Sequence, residues 1–495
     1  MRCFLPIGLQ DFVYRRQPAV HGPGTRASLN SDQSHQLTHL FRTADGCFLV
    51  DGSTAALVRL DASSFAAWSD YLLGLSDDTV AQDPPGLTEL RRSGLFRQTQ
   101  YPAPTAAPTS LHSLCLNVAH LCNLACRYCF AGEGGYGDTA ADIMAPAVAR
   151  RAVDLLLESS AASRTVNIDF FGGEPLLAWD TVVDVVGYAT QEARAKGGTV
   201  HFTLTTNGVG LTAAQARFAA EHMATIIVSL DGRPEVHDRM RVRRDGEGSY
   251  AAALAGAGLL QDALSAAGRR ARKRGRMDGS VVLERPDRPI DSAPLWARGT
   301  FTRHNLDFWR DVEHLLALGF DQISLEPVSA PPSAPYSLQT ADLPQIRESY
   351  SRIADLMRQG GLRFFHFELN QRQPACAVKR YSGCAAGAGY GCVAPGGELY
   401  PCHQFDGDAA FAQGNVLELA SYPTAERLLG TGVGAKQACR QCWAQLFCGG
   451  GCHYASWRYG GGLLEPPPLY CMLTRTRLEC ALSLQGTPAG PAKGL

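Results

Sequence analysis

Eleven of the sixteen cysteines in this 495-residue chain fall in two dense groups, and that spacing narrows the folds open to it. The first group is Cys122, Cys126 and Cys129, spaced C-x3-C-x2-C within His120-Leu-Cys-Asn-Leu-Ala-Cys-Arg-Tyr-Cys-Phe130. It directly follows the apolar run Leu114 to Ala119. The second group is Cys384, Cys392 and Cys402, then Cys439-x2-Cys442-x5-Cys448-x3-Cys452, and finally Cys471. Cys3, Cys47, Cys115, Cys376 and Cys480 stand apart. Disulfide frameworks belong to small secreted domains that cannot build a core. A chain of this length that is 45% hydrophobic can build several, so reduced, metal-binding thiolates fit better. Three cysteines on one short loop can hold three irons of a [4Fe–4S] cube and leave the fourth iron free for a ligand. Spacing alone leaves two alternatives open: zinc held by three cysteines plus His120, or cysteines with no common role.

The length predicts two or three domains. A formal net charge of −1 gives no global attraction to nucleic acid or to an anionic membrane, so neither is expected as a partner. No apolar run reaches the ~20 residues needed to span a bilayer. Leu5 to Leu9 is too short for a signal sequence and is broken by Pro6, so a cytoplasmic location is expected.

Residues 1–36 lack periodicity and read as a loose arm. Between 37 and 100, Cys47–Val50 and Ala55–Leu60 flank Asp51-Gly-Ser-Thr54 as a β-hairpin. Asp61 to Ser64 can cap a helix carrying Phe65, Trp68, Leu72 and Leu73, and a second short helix covers Leu87–Leu95. Residues 101–110, rich in proline, form a linker. From 111 to 375, strands at Leu114–Ala119, Val166–Phe171, His201–Thr206, Thr225–Leu230, Trp296–Phe301 and Gln322–Val328 alternate with amphipathic helices. Ala147–Glu158, Thr181–Lys196 and Leu306–Leu318 are among those helices. The class is α/β with a parallel sheet. The basic run Gly268 to Arg276 and the stretch after it, to Pro294, look like a surface insertion. From 376 to 484 the chain is rich in Gly, Cys and aromatics, needs cross-links to fold, and finds them in metal. Residues 485–495 read as a disordered tail.

The residues between the first cysteines, with Tyr128 and Phe130 flanking Cys129, resemble the signature of the radical S-adenosylmethionine (SAM) superfamily. The resemblance implies a partial (β/α)6 barrel whose C-terminal strand ends carry the site. It also implies a [4Fe–4S] cluster on Cys122, Cys126 and Cys129 whose open iron binds SAM. One electron then cleaves SAM to a 5′-deoxyadenosyl radical. Gly172-Gly173-Glu174 resembles the element that holds the SAM amino group. Thr206-Asn207 and Ser229 resemble elements around its ribose and carboxylate, Glu326 the adenine side, and Phe130 belongs to the cofactor contacts. Asp231, at the end of the fourth strand, is the candidate catalytic acid or base; its alternative is a turn-forming Asp before Gly232.

The second cysteine group is similar to the SPASM domain of peptide-modifying radical SAM enzymes, which implies two auxiliary [4Fe–4S] clusters and three in all. By that resemblance Cys384, Cys402 and Cys452 hold the first and Cys439, Cys442, Cys448 and Cys471 the second. Cys392 either completes the first or leaves an iron open for a substrate thiolate. The 37–100 unit resembles a winged-helix peptide-recognition element, with a structural cap as the alternative. Gly132-Glu-Gly-Gly-Tyr-Gly137 and Leu399-Tyr-Pro-Cys-His-Gln-Phe405 narrow the likeness to thioether-forming maturases. Within these it resembles the quinohemoprotein amine dehydrogenase maturation proteins more than the six-cysteine-peptide maturases. That implies Cys-to-Asp/Glu thioether links in a small protein substrate (the γ subunit of that dehydrogenase), and an electron donor such as flavodoxin or ferredoxin. Formylglycine formation and sactipeptide bonding are the enzyme alternatives. A zinc-bound peptide or nucleic-acid binding module is the non-enzyme one.

Overall fold

The six apolar runs expected as parallel strands form one side-by-side block. A computed structural model describes residues 37–73, 83–96, 101, 111–137, 142–160, 165–268, 272–275, 281–284, 295–369, 381, 384–423 and 425–486. The N-terminal unit is an antiparallel sheet of β1 (Thr38–Thr43), β2 (Gly46–Asp51) and β3 (Ala56–Leu60), followed by α1 (Ala62–Leu73) and α2 (Leu87–Arg92). Asp61 caps α1 as expected, accepting from the Ser64 amide at 2.7 Å. Trp68 is buried, but Leu73 is 67% exposed, so the apolar stripe ends before the helix does.

The main body alternates strand and helix: β4 (Ser113–Ala119), α3 (Pro146–Ser159), β5 (Thr165–Gly172), α4 (Trp179–Ala195), β6 (Thr199–Thr206), α5 (Ala213–His222) and β7 (Met223–Ser229). It continues with α6 (Pro234–Met240), α7 (Tyr250–Ala266), the small hairpin β8 (Arg272–Gly275) and β9 (Val281–Glu284), β10 (Leu295–Phe301), α8 (Trp309–Ala317), β11 (Gln322–Pro327) and α9 (Leu343–Gln359). Local chemistry sets the helix starts. Proline opens α3 and α6, where its missing N–H costs nothing, and Thr212 with Gln215 forms a capping box on α5.

Besides β1 and the β8–β9 hairpin, three short strands were not expected: β12 (Arg363–Phe364), β13 (Tyr390–Val393) and β14 (Leu399–Tyr400). They complete a nine-stranded sheet of order β12-β11-β10-β7-β6-β5-β4-β13-β14, parallel except for β14. The Cys-rich region is therefore less dependent on cross-links than expected. It begins as an edge of the sheet and packs Phe405, Phe411, Ala425 and Leu428 into its own apolar cluster. After α10 (His453–Tyr459) it ends in α11 (Pro468–Gly486), which takes in Gln485, expected to lie in the tail. Of the basic insertion only β8 and β9 are described; the loose arm, residues 102–110, Cys376 and residues 487–495 lie outside the described residues.

Both faces of a parallel sheet are usually dry. Here one face is dry and the other is not. On β10, Leu295, Ala297 and Phe301 are buried under the helices, while Trp296, Arg298 and Thr300 between them stay partly accessible. The same alternation places Asp169 and Phe171 of β5, Thr203 and Thr205 of β6, and Ser229 of β7 on the second face. Asp169 and Glu326 on that face have protein on nearly every side yet stay partly accessible, so the face lines an internal polar space, the lumen.

Candidate functional site

The cysteine loop leaves β4 and is held by backbone on both sides. The Ala125 amide donates to the Val242 carbonyl and the Arg127 amide to the Met240 carbonyl, each at 2.8 Å. The Gly173 amide donates to the Ala119 carbonyl at 2.7 Å, and the Glu174 amide to the Leu121 carbonyl at 2.9 Å. A Cβ on Gly173 would lie 2.2 Å from the Leu121 oxygen, and one on Gly134 2.7 Å from the Cys122 Cβ. The glycine pair thus lets two loops of the chain close on each other, a nearer role than the ligand approach expected of it. Cys122, Cys126 and Cys129 are half-buried and within electrostatic range of one another. Burial pushes the Cys122 thiol up to about 12 and the Cys126 thiol up to about 11. Such thiols stay protonated at neutral pH until a metal displaces the proton.

Asp231 is fully buried, and its oxygens are occupied: Oδ2 accepts from the Tyr128 hydroxyl at 2.5 Å, and Oδ1 from Arg241 Nε and the Thr300 amide, both at 3.0 Å. Arg241 also covers the Tyr128 ring. A base needs an accessible lone pair beside its substrate. In this structure the residue expected as acid or base braces the loop, fixing Tyr128 between Cys126 and Cys129. Glu174 is likewise a brace, accepting from the Thr206 hydroxyl and Asn207 amide at 2.7 Å and the Leu176 amide at 3.0 Å. Burial pushes its carboxyl up to about 7. Thr206 and Asn207 are buried at the same joint, whereas Ser229 remains half-buried on the lumen face.

The second cysteine group brings several thiols near one another. Cys402 lies in electrostatic range of Cys384 and Cys452, and Cys439 in range of Cys442, Cys448 and Cys471. Burial raises the Cys402 thiol strongly and the Cys439 thiol to about 12. None of the described cysteines is in a disulfide. Cys392 is fully buried on β13, in register with Cys115 on β4 and in the same apolar cluster, with Cys402 also a neighbour. Lys436 is completely buried, its Nζ donating among the described residues to the Gly450 carbonyl at 2.7 Å, and the titratable groups acting on it are the thiols of Cys439, Cys448, Cys452 and Cys384. A buried ammonium without a carboxylate is costly. Thiolates ligated to iron in both sets would supply the missing negative charge, so these residues fit two clusters.

Zinc held by His120 fits less well. His120 is occupied: its Nε2 meets Asp406 Oδ2 at 2.9 Å and its ring stacks on Tyr136. Asp406 Oδ2 also accepts from Asn117 Nδ2 at 2.5 Å, tying the first cysteine loop to the loop of Cys402.

Between the two sets lies the lumen. Cys452 is exposed by area although protein lies on nearly every side of it, as expected of a wall facing internal space. Phe130, Phe171 and His403 form an aromatic wall, and the Tyr390 hydroxyl meets His403 Nδ1 at 2.9 Å. Asp169, Arg298, His366 and His403 were not singled out from sequence. Asp169 was findable as a charge at an inward position of an apolar strand, and burial pushes its carboxyl up to about 6. Glu326 pairs with Arg298 of β10 at 2.5 Å and also lies near His403 and Cys452 of the cysteine-rich region.

Residues 116–263 match the family model of the radical SAM superfamily. Over 168 residues the chain is 31% identical to the serine-type anaerobic sulfatase-maturating enzyme of Klebsiella aerogenes, covering 33% of this chain and 41% of that one. The chain thus spans less than half the length of the curated relatives it matches. Two solved structures share the fold over more of the chain. Native anSMEcpe with bound AdoMet and Kp18Cys peptide has a TM-score of 0.59 at 18% identity, covering 75% of this chain and 96% of that one. Streptococcus suis SuiB bound to S-adenosylmethionine has 0.51 at 14% identity, covering 88% and 98%. The mixed α/β radical SAM fold with a mostly parallel sheet is therefore the fold of this chain. No described helix is long and apolar enough to cross a membrane.

Proposed function

We propose that this chain joins a cysteine sulfur to the methylene carbon beside an Asp or Glu carboxylate within a small protein, as the quinohemoprotein amine dehydrogenase maturation proteins do for their γ subunit. The observation that carries the reading is the lumen itself, walled on one side by the Cys122–Cys129 loop and on the other by Cys384, Cys402 and Cys452. When bound, SAM and the clusters supply a hydrogen-abstracting deoxyadenosyl group and take up the electron left when sulfur and carbon join. The balance is two hydrogens lost per bond: one atom to the deoxyadenosyl carbon, and one proton from the thiol to a base. Asp169 is the carboxylate placed to hold that proton, because it faces the lumen and burial has raised its affinity for one. Phe130, Phe171 and His403 keep water from the carbon. Tyr128, Asp231 and Arg241 hold the first loop rigid, and the unit of β1–β3 with α1 and α2 serves peptide docking. A reduced flavodoxin or ferredoxin is the electron donor this chemistry calls for, and a cytoplasmic location suits it.

The likeness to a sulfatase-maturating enzyme favours formylglycine formation as a second reading. Co-expression with a small protein rich in Cys and Asp/Glu separates the two. A thioether removes two hydrogens per bond, makes one cysteine per bond refractory to alkylation, and blocks peptide fragmentation between the joined residues. Oxidation of serine to formylglycine removes two hydrogens but leaves cysteines alkylatable and an aldehyde that hydrazides trap.

A further inference from the structure

Two guanidiniums lie along one line of side chains at the lumen, with one carboxylate between them. Arg298 points into the lumen from β10 with 42% of its side chain accessible. Its one hydrogen bond among the described residues runs from Nη2 to Glu326 Oε1 at 2.5 Å. Glu326 Oε1 lies 3.8 Å from His366 Nε2, and His366 Nδ1 is 3.0 Å from Arg477 Nη1 on α11. A guanidinium only donates, so His366 accepts at Nδ1 and carries its proton at Nε2, toward Ser324 and Glu326. Arg477 has no other hydrogen bond among the described residues, and its buried Nε has no acceptor.

Two guanidiniums therefore share one carboxylate. His366 does not change the sum, since burial holds it down to about 4 and so neutral. Arginine cannot shed its proton to escape burial. Arg298 thus keeps its charge at an accessible place inside the protein, bonded to a carboxylate that it shares through His366 with Arg477.

We infer that Arg298, backed by Arg477 through His366, is the docking point for a carboxylate that enters the lumen, and that this carboxylate is the Asp or Glu side chain of the substrate. This rests on the proposed reaction, in which the carbon attacked lies beside such a group. The single bond to Glu326 leaves further Arg298 N–H groups on the accessible side, enough for the paired contact an arginine fork makes with a carboxylate. Docking there would fix the adjacent methylene in the lumen and reject the amide isosteres, which carry no charge. The carboxylate of SAM itself is the other source of the same chemistry.

The test uses the reconstituted holoenzyme with SAM and a fluorescein-labelled 15-residue peptide containing one cysteine and one glutamate, against the same peptide with glutamine. Anisotropy titration should show a preference for the glutamate peptide of about tenfold or more. Arg298→Gln should bring the preference to within about twofold, with the SAM dissociation constant unchanged. Glu326→Gln, which releases Arg298, should widen it. Iron content and far-UV circular dichroism verify that each variant is folded, and Arg298→Lys, keeping charge without the fork, should fall between. An equal preference in wild type and Arg298→Gln overturns the inference. So does a parallel loss of SAM affinity, which would give the arginine to SAM. If the preference appears but the product carries another bond, the docking point stands and the reaction assignment falls. If the thioether forms with no preference, the docking point falls alone.

Discussion

At the scale of single residues, charge placement separates braces from working groups. Asp231 and Asp169 both stand on strands or strand ends of the sheet, yet one is saturated by Tyr128, Arg241 and Thr300 while the other faces the lumen with Thr203 as its partner. Asp231→Asn leaves the Arg241 charge buried without its counterion. It should cost about 3–5 kcal/mol in denaturant unfolding, whereas a residue acting only as a base would leave stability intact and remove product. Asp169 should give product formation that rises with pH through about 6, and Asp169→Asn should remove that limb from the rate profile. Its linkage runs the other way. A carboxyl raised from 3.8 to about 6 holds its proton longer folded than unfolded, so stability falls as pH climbs through that window, and Asp169→Asn should abolish the fall in thermal melts. Lys436→Met removes the one buried ammonium beside both cysteine sets. Potentiometric titration followed by electron paramagnetic resonance should then show both auxiliary clusters harder to reduce, and unchanged potentials would deny Lys436 its electrostatic role.

Elements were legible where a physical period marks them. The six parallel strands stand out because their helix-facing positions are apolar at every second residue, and their observed bounds fall within two residues of those read from the sequence. β1 was hidden by the polar Thr38, His39, Arg42 and Thr43, and β12 and β14, two residues each, are too short to carry a period. Cys392 was read as a possible ligand because its residue type suggested one. Only the sheet pairing reveals that it is a strand residue packed on Cys115. The lumen residues escaped notice because a lone charge in an apolar run carries no signal until the opposite wall is known. The glycine pair was found in the sequence, but its reason lies in the fit of two loops. Gly173→Ala places a methyl against the Leu121 carbonyl and should strip the first loop of its iron while both later sets keep theirs, as counted by Mössbauer spectroscopy.

At the scale of the molecule, the first and last parts of the chain close on each other. Phe41, Phe48 and Val50 of the N-terminal sheet pack with Trp443, Leu478 and Leu482, and His39 stacks on Trp443 while reaching Glu479 at 2.9 Å. A Cβ at Gly52 would lie 2.5 Å from the Trp443 carbonyl oxygen. The N-terminal unit is thus seated on the backbone between Cys442 and Cys448, so cluster loading and the posture of that unit should be coupled. The whole account depends on iron standing on both sides of the lumen. Iron and sulfide counted per chain after anaerobic reconstitution measure this most directly. Three four-iron clusters give about twelve of each, and a plateau near four, or zinc in place of iron, would contradict the account.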